Sequence, residues 1–484
     1  MQNPDGAVVS LVPARLDRLP WSRFHWLVII GLGVSWILDG LEIQIVSSVS
    51  PVLQERAALG LTAAQAGLVG TAYLLGEVAG ALVFGRVTDR MGRRRMFIWT
   101  LTLYLVASGV AGLSPTLWFL LLFRFLAGAG IGGEYSAINS AIDELIPSYY
   151  RGRVDIAVNG TYWFGAMVGS ALSVPLLNPH LFPIDLGWRI GFLLGPVIGI
   201  VIILLRRSIP ESPRWLMTHG REEEAEDIVD QIEARVRREG IELKPVTEDQ
   251  GIAITGSGVV SYGQIARTML RDYPSRSFLG FSMMVTQAFL YNAIFFSYAL
   301  VLAHFYHVPS DRIGLYFFPF AAGNLAGPLL IGHLFDTVGR RKMITLTYCL
   351  SALLLAVSAW CFHQGLLSAT TQTLFWCAIF FLASAGASSA YLTVSEIFPL
   401  ELRGQAIAFF FAVSQLMGGV AAPTLFATLV GDGSNPGPLT TGYYVGAAVM
   451  FLGGVVAWFF AVNAERRSLE EVARPLSATL PDTR

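Results

Sequence analysis

Charge is what this chain has least of. Only 14% of its 484 residues are Asp, Glu, Lys or Arg, where a soluble protein carries about 25%. With 54% hydrophobic residues and a mean hydropathy of +0.57, that scarcity excludes a water-solvated globule and calls for lipid. Cysteine is nearly absent. Cys349, Cys361 and Cys377 all lie in apolar stretches, and the first two would sit about 18 Å apart on one helix. They give no disulfide framework and read as small buried hydrophobes. The sequence also lacks zinc-type ligand spacing, a phosphate loop and any nucleophile–base–oxyanion arrangement. No enzyme activity, cofactor or metal is expected. A formal net charge of −1 gives no nucleic-acid signal, and no nucleic-acid partner is expected. The polar first 23 residues lead into an apolar run with no small-residue cleavage site, so a retained first span is expected.

What is present is length. Apolar stretches of about 20 residues fall near 24–48, 63–85, 96–113, 117–141, 154–177, 187–206, 277–303, 312–334, 343–362, 372–392, 405–430 and 441–462. Arginine falls on alternate sides of them. One side holds Arg86, Arg90 and Arg93 to Arg95, then Arg151 and Arg153, Arg340 and Arg341 with Lys342, Arg403, and Arg466, Arg467 and Arg474. On the other side, only Arg56, Arg189 and Arg312 sit near span ends. The positive-inside rule then gives twelve transmembrane helices with both termini cytoplasmic.

The chain repeats itself. GRVTDRMGRRRM (85–96) returns as GHLFDTVGRRKM (332–343), and ELIPSYYRG (144–152) as EIFPLELRG (396–404). The offsets, 332 − 85 = 247 and 396 − 144 = 252, describe two six-span copies in parallel order. We therefore expect an all-α membrane protein built as two six-helix bundles, residues 1–206 and 277–484, joined by a cytoplasmic linker over 207–276. Within that linker Ala225, Ile228, Val229, Ile232 and Val236 follow helical spacing, which predicts an amphipathic helix. Residues 240–260 have no periodicity and read as flexible. Such paired copies enclose a midplane substrate site and rock about it.

These stretches together resemble the major facilitator superfamily over nearly the whole chain. G-x-x-x-D-x-x-G-R-R is shared across that superfamily. PESPRWL (210–216), E-I-F-P-x-x-x-R-G and the five-residue spacing of Gln287 and Asn292 are similar to its sugar-porter branch. Three features depart from the sugar-porter pattern: Thr286 replaces its first glutamine, Tyr391 stands where its sugar-stacking tryptophan would be, and ERRSLEE (465–471) keeps only part of its tail motif. D-G-x-[DE] in the first span and G-x-G-G-E, Gly130 to Glu134, in the fourth look instead like the proton symporters of organic and aromatic acids, nicotinate-type carriers included.

The opening stretch SWILDGLEIQIV (35–46) puts Asp39 and Glu42 inside a membrane span. A charge at the centre of the hydrocarbon costs about 2.5–3.5 kcal/mol, so a partner is required. Arg124 is the only basic residue in the fourth span. At 1.5 Å per residue, Asp39, Glu42 and Arg124 lie about 22, 27 and 25 Å from the cytoplasmic face, so all three share a level. By resemblance, Glu42 occupies the place of the sugar porters' proton-carrying acid and Arg124 that of its partner. Two readings of the trio stay open, a proton-coupling site and a static structural glue. Glu77, mid second span, could join the trio or face the pore, and the role of Glu134 is open.

Polar or aromatic residues inside spans are pore candidates: Asn159, Tyr162 and Trp163 in the first copy; Gln287, Asn292, Tyr298, Asn324, Tyr391 and Gln415 in the second. Asp89 and Asp336 sit where a carboxylate can cap a helix of the other copy. With Arg93, Arg94, Glu144 and Arg151, and with Arg340, Arg341, Glu396 and Arg403, they form two candidate gating latches. The expected molecule is a monomeric, multi-pass transporter of the bacterial inner membrane, whose partners are the lipid bilayer, a small-molecule substrate and protons. It would import a small organic metabolite, an organic or aromatic acid, with protons. The alternatives are a sugar:proton symporter, a proton-coupled exporter suggested by GFLLGPVIG (191–199), and, remotely, a non-transporting nutrient sensor.

Overall fold

The computed structural model describes residues 8–49, 52–178, 180–206, 209–247, 250–254, 262–308, 310–431 and 433–476. A short strand, β1 (Val8–Ser10), and a helix, α1 (Val12–Asp17), lead into α2 (Arg23–Val49). The first copy continues with α3 (Ala63–Met91), α4 (Arg93–Ala111), α5 (Leu117–Leu145), α6 (Arg151–Gly160), α7 (Tyr162–Leu176) and α8 (Ile184–Arg206). The connecting segment holds α9 (Pro213–Thr218), α10 (Glu222–Arg238), β2 (Ile252–Ile254) and α11 (Tyr262–Arg267). The second copy begins with α12 (Pro274–His304), α13 (Ser310–Ile331), α14 (Leu334–Thr337) and α15 (Arg340–His363). It ends with α16 (Ala369–Ile397), α17 (Arg403–Ser414), α18 (Ala421–Val430), α19 (Pro436–Phe460) and α20 (Leu469–Val472).

Nine helices among the described residues are long and apolar enough to cross a membrane. The other three expected spans are helical too, but interrupted or shorter. The stretch 154–177 breaks at Thr161 between α6 and α7. The stretch 405–430 is broken by a π-helical turn, Gln415–Val420, and α4 opens on three arginines. Large apolar side chains such as Trp99, Trp118 and Phe459 are exposed around the outside, as lipid-facing surface requires.

Local signals set the helix ends. Thr62 and Gln65 cap α3 reciprocally, a capping box. Between α3 and α4 the chain turns at Gly92 with φ 94°, and ahead of α15 at Gly339 with φ 112°, a backbone region that side chains disfavour. This is why each GRR loop carries its glycine at the turn. Within the first copy the helices pack almost backbone to backbone. A Cβ at Gly40 would collide with the Tyr162 carbonyl, and one at Gly165 with the Ile37 carbonyl, so α2 and α7 lie at small-residue contact distance.

The connecting segment is more ordered than its composition suggests. On α10, Ala225, Val229, Ile232 and Val236 are buried, and Ile228 packs against the core. Ile252–Ile254 pairs antiparallel with Val8–Ser10 in the register Val9 to Ala253. That corrects the expectation of a flexible 240–260, because the apolar triplet finds a strand partner at the far end of the chain. Residues 248–249 and 255–261 of that stretch lie outside the described ones. The three cysteines are free and only partly buried.

Glu233 fastens α10 to α1. Its carboxylate takes Arg15 Nε at 2.9 Å and Arg18 Nη2 at 2.6 Å. Burial opposes the charged form, but the two guanidinium hydrogen bonds outweigh it and hold the Glu233 carboxyl below its ordinary range. A carboxyl depressed in the folded state stabilises docking above the ordinary carboxylate range and loses that contribution as pH falls through the depressed value. We expect Glu233→Gln to speed hydrogen exchange over residues 12–18 at neutral pH. Acidifying the parent chain below about pH 4 should do the same after correction for intrinsic rates.

Candidate functional site

Arg124 and Glu42 meet. Both are buried, and Arg124 Nη1 donates to Glu42 Oε1, which also accepts from Ser108 Oγ at 2.6 Å. The guanidinium carbon lies 4.2 Å from the centre of the Tyr73 ring, within cation–π range. The Tyr73 hydroxyl donates to Asp39 Oδ1 at 2.7 Å, and the Tyr135 hydroxyl to Asp39 Oδ2. Of the two first-span acids, Glu42 therefore takes the guanidinium and Asp39 takes two tyrosine hydroxyls. The result is an unbroken line Glu42–Arg124–Tyr73–Asp39–Tyr135 across α2, α3 and α5.

That line ends at a cavity. A space of about 170 Å³ lies between the two copies. From the first copy Trp36, Glu77, Tyr135, Asn159, Tyr162 and Trp163 line it. From the second come Gln287, Tyr291, Asn292, Ser384, Tyr391 and Gln415, with Phe295 and Phe411. None of the described lining residues is basic. Glu77 is buried, and Gln415 Nε2, from the π-helical turn, donates to its Oε2 at 3.2 Å. A second cavity of about 300 Å³, away from the GRR end, reaches Arg124 and Tyr73 and shares Ile43, Leu74 and Phe295 with the first. Those three apolar side chains border both cavities.

Seven of the nine pore candidates thus stand on one wall. Asn324 does not. It is fully buried and accepts a hydrogen bond from Tyr291 Oη at 2.9 Å, one residue behind the lining. Tyr298 is also off the wall, stacked on Phe320. Sequence reasoning missed Trp36, Tyr135, Tyr291, Ser384 and Ser388. Tyrosine and tryptophan in spans are too common to single out, though Tyr135 directly follows the G-x-G-G-E stretch. Glu134 is buried on α5.

At the GRR end two matched clusters close the molecule. In one, Asp89 Oδ2 accepts the backbone N–H of Gln405 at 3.1 Å, at the start of α17. Arg93 lies 3.3 Å from Asp89 and 2.8 Å from Glu144, and Arg403 of the second copy lies 3.8 Å from Glu144. In the other, Asp336 Oδ2 accepts the Arg153 N–H at 2.7 Å, in the first turn of α6. Arg340 bridges Asp336 at 2.7 Å and Glu396 at 3.0 Å, and Arg151 of the first copy lies 3.7 Å from Glu396. Each ELIP or EIFP glutamate thus receives one arginine from its own copy and one from the other. Arg94 and Arg341 stand apart: the Arg94 side chain is exposed, and Arg341 lies over Trp458.

Two residues after the last span of each copy complete the arrangement. Glu211 accepts the Arg93 N–H at 2.8 Å, and Glu465 the Arg340 N–H at 3.4 Å. Burial pushes the Glu211 carboxyl up, against the pull of its backbone donors and Arg93. Arg214 of PESPRWL is fully buried between Glu470 at 2.8 Å and Asp17 at 2.9 Å, tying both ends of the chain to the connecting segment.

A family model described as "Sugar (and other) transporter" matches residues 36–476. The chain belongs to that family, within the major facilitator superfamily. It is 28% identical to the niacin transporter NiaP of Acinetobacter baylyi over 85% of this chain and 88% of that one. It is also 28% identical to the inner membrane metabolite transport protein YgcS of Escherichia coli over 95% and 96%. Its fold is similar to that of the proton:xylose symporter XylE bound to 6-bromo-6-deoxy-D-glucose, with a TM-score of 0.75 at 18% identity, covering 93% of this chain and 98% of that one. The family member described here is therefore a multi-pass membrane transporter and not an enzyme.

Removing one partner of a buried ion pair strands the other charge, at about 3–5 kcal/mol. Arg124→Ala should lower thermal stability by that order in detergent. Arg124→Ala combined with Glu42→Gln should recover most of the loss, as read from the two unfolding curves.

Proposed function

We propose that the protein is a twelve-span, proton-coupled symporter that takes up a small ring-bearing organic acid by alternating access, with both termini and the GRR loops in the cytoplasm. The observation that carries this reading is the line of side chains from Glu42 through Arg124, Tyr73, Asp39 and Tyr135 to the cavity wall. An arginine cannot give up its proton, so its movement between two acids and a tyrosine face changes which carboxylate is compensated. An acid losing the guanidinium takes a proton, and one gaining it lets the proton go. In a membrane a motive force of about 150 mV supplies about 3.5 kcal/mol per proton, enough for a roughly 300-fold gradient.

The cavity argues for the substrate class. Its aromatic walls suit a flat ring, and Gln287, Asn292 and Asn159 offer amide N–H groups to a carboxylate. Among the described lining residues Glu77 alone is a carboxylic acid and none is basic. An anion entering there is favoured only when a proton accompanies it, either on Glu77 or on the substrate. The NiaP relative carries niacin, a ring-bearing acid of this size. The ion pairs at the GRR end close the cytoplasmic side, the second cavity leads toward the outside, and Ile43, Leu74 and Phe295 form the outer gate. Asp89 and Asp336 act as latches that a rocking motion lifts off the helix starts of the opposite copy. A sugar:proton symporter is the second reading, favoured by Gln287 and Asn292 on the cavity wall.

In vesicles with an imposed pH gradient, Glu42→Gln should abolish uphill accumulation while exchange of labelled for unlabelled substrate continues. Loss of neither would make the trio static. A thermal-shift screen of the purified chain should show stabilisation by pyridine or benzene carboxylates, about 2.7 kcal/mol at a hundredfold excess over Kd. Stabilisation by xylose or glucose instead would decide for the sugar reading.

A further inference from the structure

The two GRR-end clusters set their buried acids against guanidiniums. Asp89, Glu144, Asp336 and Glu396 face Arg93, Arg151, Arg340 and Arg403, four acids to four guanidiniums, all buried. Two further acids lie among them. Asp143 on α5 and Asp155 on α6 are both fully buried, and neither forms an ion pair of bonding distance among the described residues. The side chain of Ser395 lies beside Asp143 and that of Asn159 beside Asp155, yet no hydrogen bond of good geometry closes on any of their four carboxylate oxygens.

The internal repeat marks these two acids as additions to the latch. At the offset of 252 that relates ELIP to EIFP, Asp143 corresponds to Ser395 and Asp155 to Ile407. The second copy builds its half of the latch without either acid. The surplus belongs to the first copy alone, and Asp143 sits against its own repeat counterpart, Ser395.

Asp143 is faced by Glu396 of α16, Arg151 of α6 and Arg403 of α17. Asp155 is faced by Asp143, by Glu396 and by Arg340 of α15. Each of those arginines already serves a latch carboxylate. One turn further along α6, Asn159 donates to the Asp155 carbonyl at 2.8 Å and to Asn139 Oδ1 at 3.3 Å and lines the cavity. The two acids therefore lie between cavity and latch. A buried carboxylate that must share its cations with other acids, and that no hydrogen bond reaches, takes a proton from water at lower cost than it keeps its charge.

We propose that Asp143 and Asp155 form an inner proton store, filled while the latch is closed around it and emptied into the cytoplasm when the latch opens and water enters. The store does not depend on coupling at Glu42. It rests only on the closed ion-pair layer and on the orientation in which that layer faces the cytoplasm. The sign follows from counting. The closed state binds more protons than the open one, so rising pH favours opening, by about tenfold per pH unit for each proton released. Import would then slow as the cytoplasm acidifies.

The test measures opening of the GRR end without substrate. Arg90→Cys on α3 and Lys342→Cys on α15, both exposed positions, carry spin labels in a full-length chain whose three native cysteines are replaced by serine. Distances are read in nanodiscs from pH 5.5 to 8.5. We expect the short, closed distance at low pH and a growing long component as pH rises. Asp143→Asn with Asp155→Asn, which mimics two filled sites, should hold the short distance throughout, and each single variant should reduce the pH slope. An unchanged slope in the double variant would overturn the proposal, as would the same slope in both single variants if the double fails to fold. A profile that follows sodium at fixed pH, measured against choline, would overturn it too. Failure of the coupling reading would appear in accumulation assays on Glu42→Gln, a separate measurement.

Discussion

A carboxylate removed from water must be given a cation, hydrogen-bond donors or a proton, and nearly every feature of this molecule follows from how each buried acid meets that requirement. Glu42 has the guanidinium of Arg124 and the hydroxyl of Ser108. Asp39 has two tyrosine hydroxyls, which compensate charge less completely than an arginine. Asp89 and Asp336 have helix N-termini of the opposite copy, where orphan N–H groups and the positive dipole end gather. The three solutions differ in what undoes them: movement of an arginine, rotation of a phenol, or separation of two helices. On the proposed reading, that graded set lets one structure tie protonation to motion.

The same requirement explains where the molecule is stiff and where it gives. Inside each copy the helices touch through glycine against backbone, as Gly40 and Gly165 do between α2 and α7, and nothing in such a contact is improved by water. Between the copies at the GRR end, the contacts are ion pairs and charged caps. Water solvates their groups as well as the protein does, so exposed versions contribute little. A joint of that kind separates at low net cost once hydrated, while the bodies on either side keep their shape.

Much of this was legible in the sequence because intramembrane charge is rare. Asp39, Glu42 and Arg124 stand out in apolar surroundings, and helix rise alone places them at one depth. The repeat located Asp89 with Arg93 and Asp336 with Arg340. Finer questions were out of reach. Asp39 and Glu42 project within about 60° of each other, too little for spacing to say which takes the guanidinium. The exchange of Arg151 and Arg403 between copies depends on how the two bundles face each other, which no local pattern encodes. Asn324 was chosen for its polarity, yet a buried amide can be satisfied by Tyr291 and its own helix without reaching the cavity. The helix breaks at Thr161 and Gln415–Val420 were hidden by continuous hydropathy. Both adjoin lining residues, where π-helical turns commonly occur.

The two copies divide their labour unequally, and the division bears on coupling. In the first copy, span interiors carry Asp39, Glu42, Glu77 and Arg124; the second copy carries no charge between its GRR-end clusters and the far side, and supplies Gln287, Asn292, Gln415 and Tyr391 instead. On the proposed reading protonation chemistry belongs to the first copy, while the amides that face the cavity come from both, Asn159 from the first and Gln287, Asn292 and Gln415 from the second. The hydrogen bond from Gln415 to Glu77 joins the two copies across the cavity. On the proposed function, a ligand that competes for Gln415 withdraws a donor from Glu77, so occupancy and protonation would be linked at that contact even before either body moves. By linkage the effect runs both ways: a proton on Glu77 frees Gln415 to turn toward the ligand.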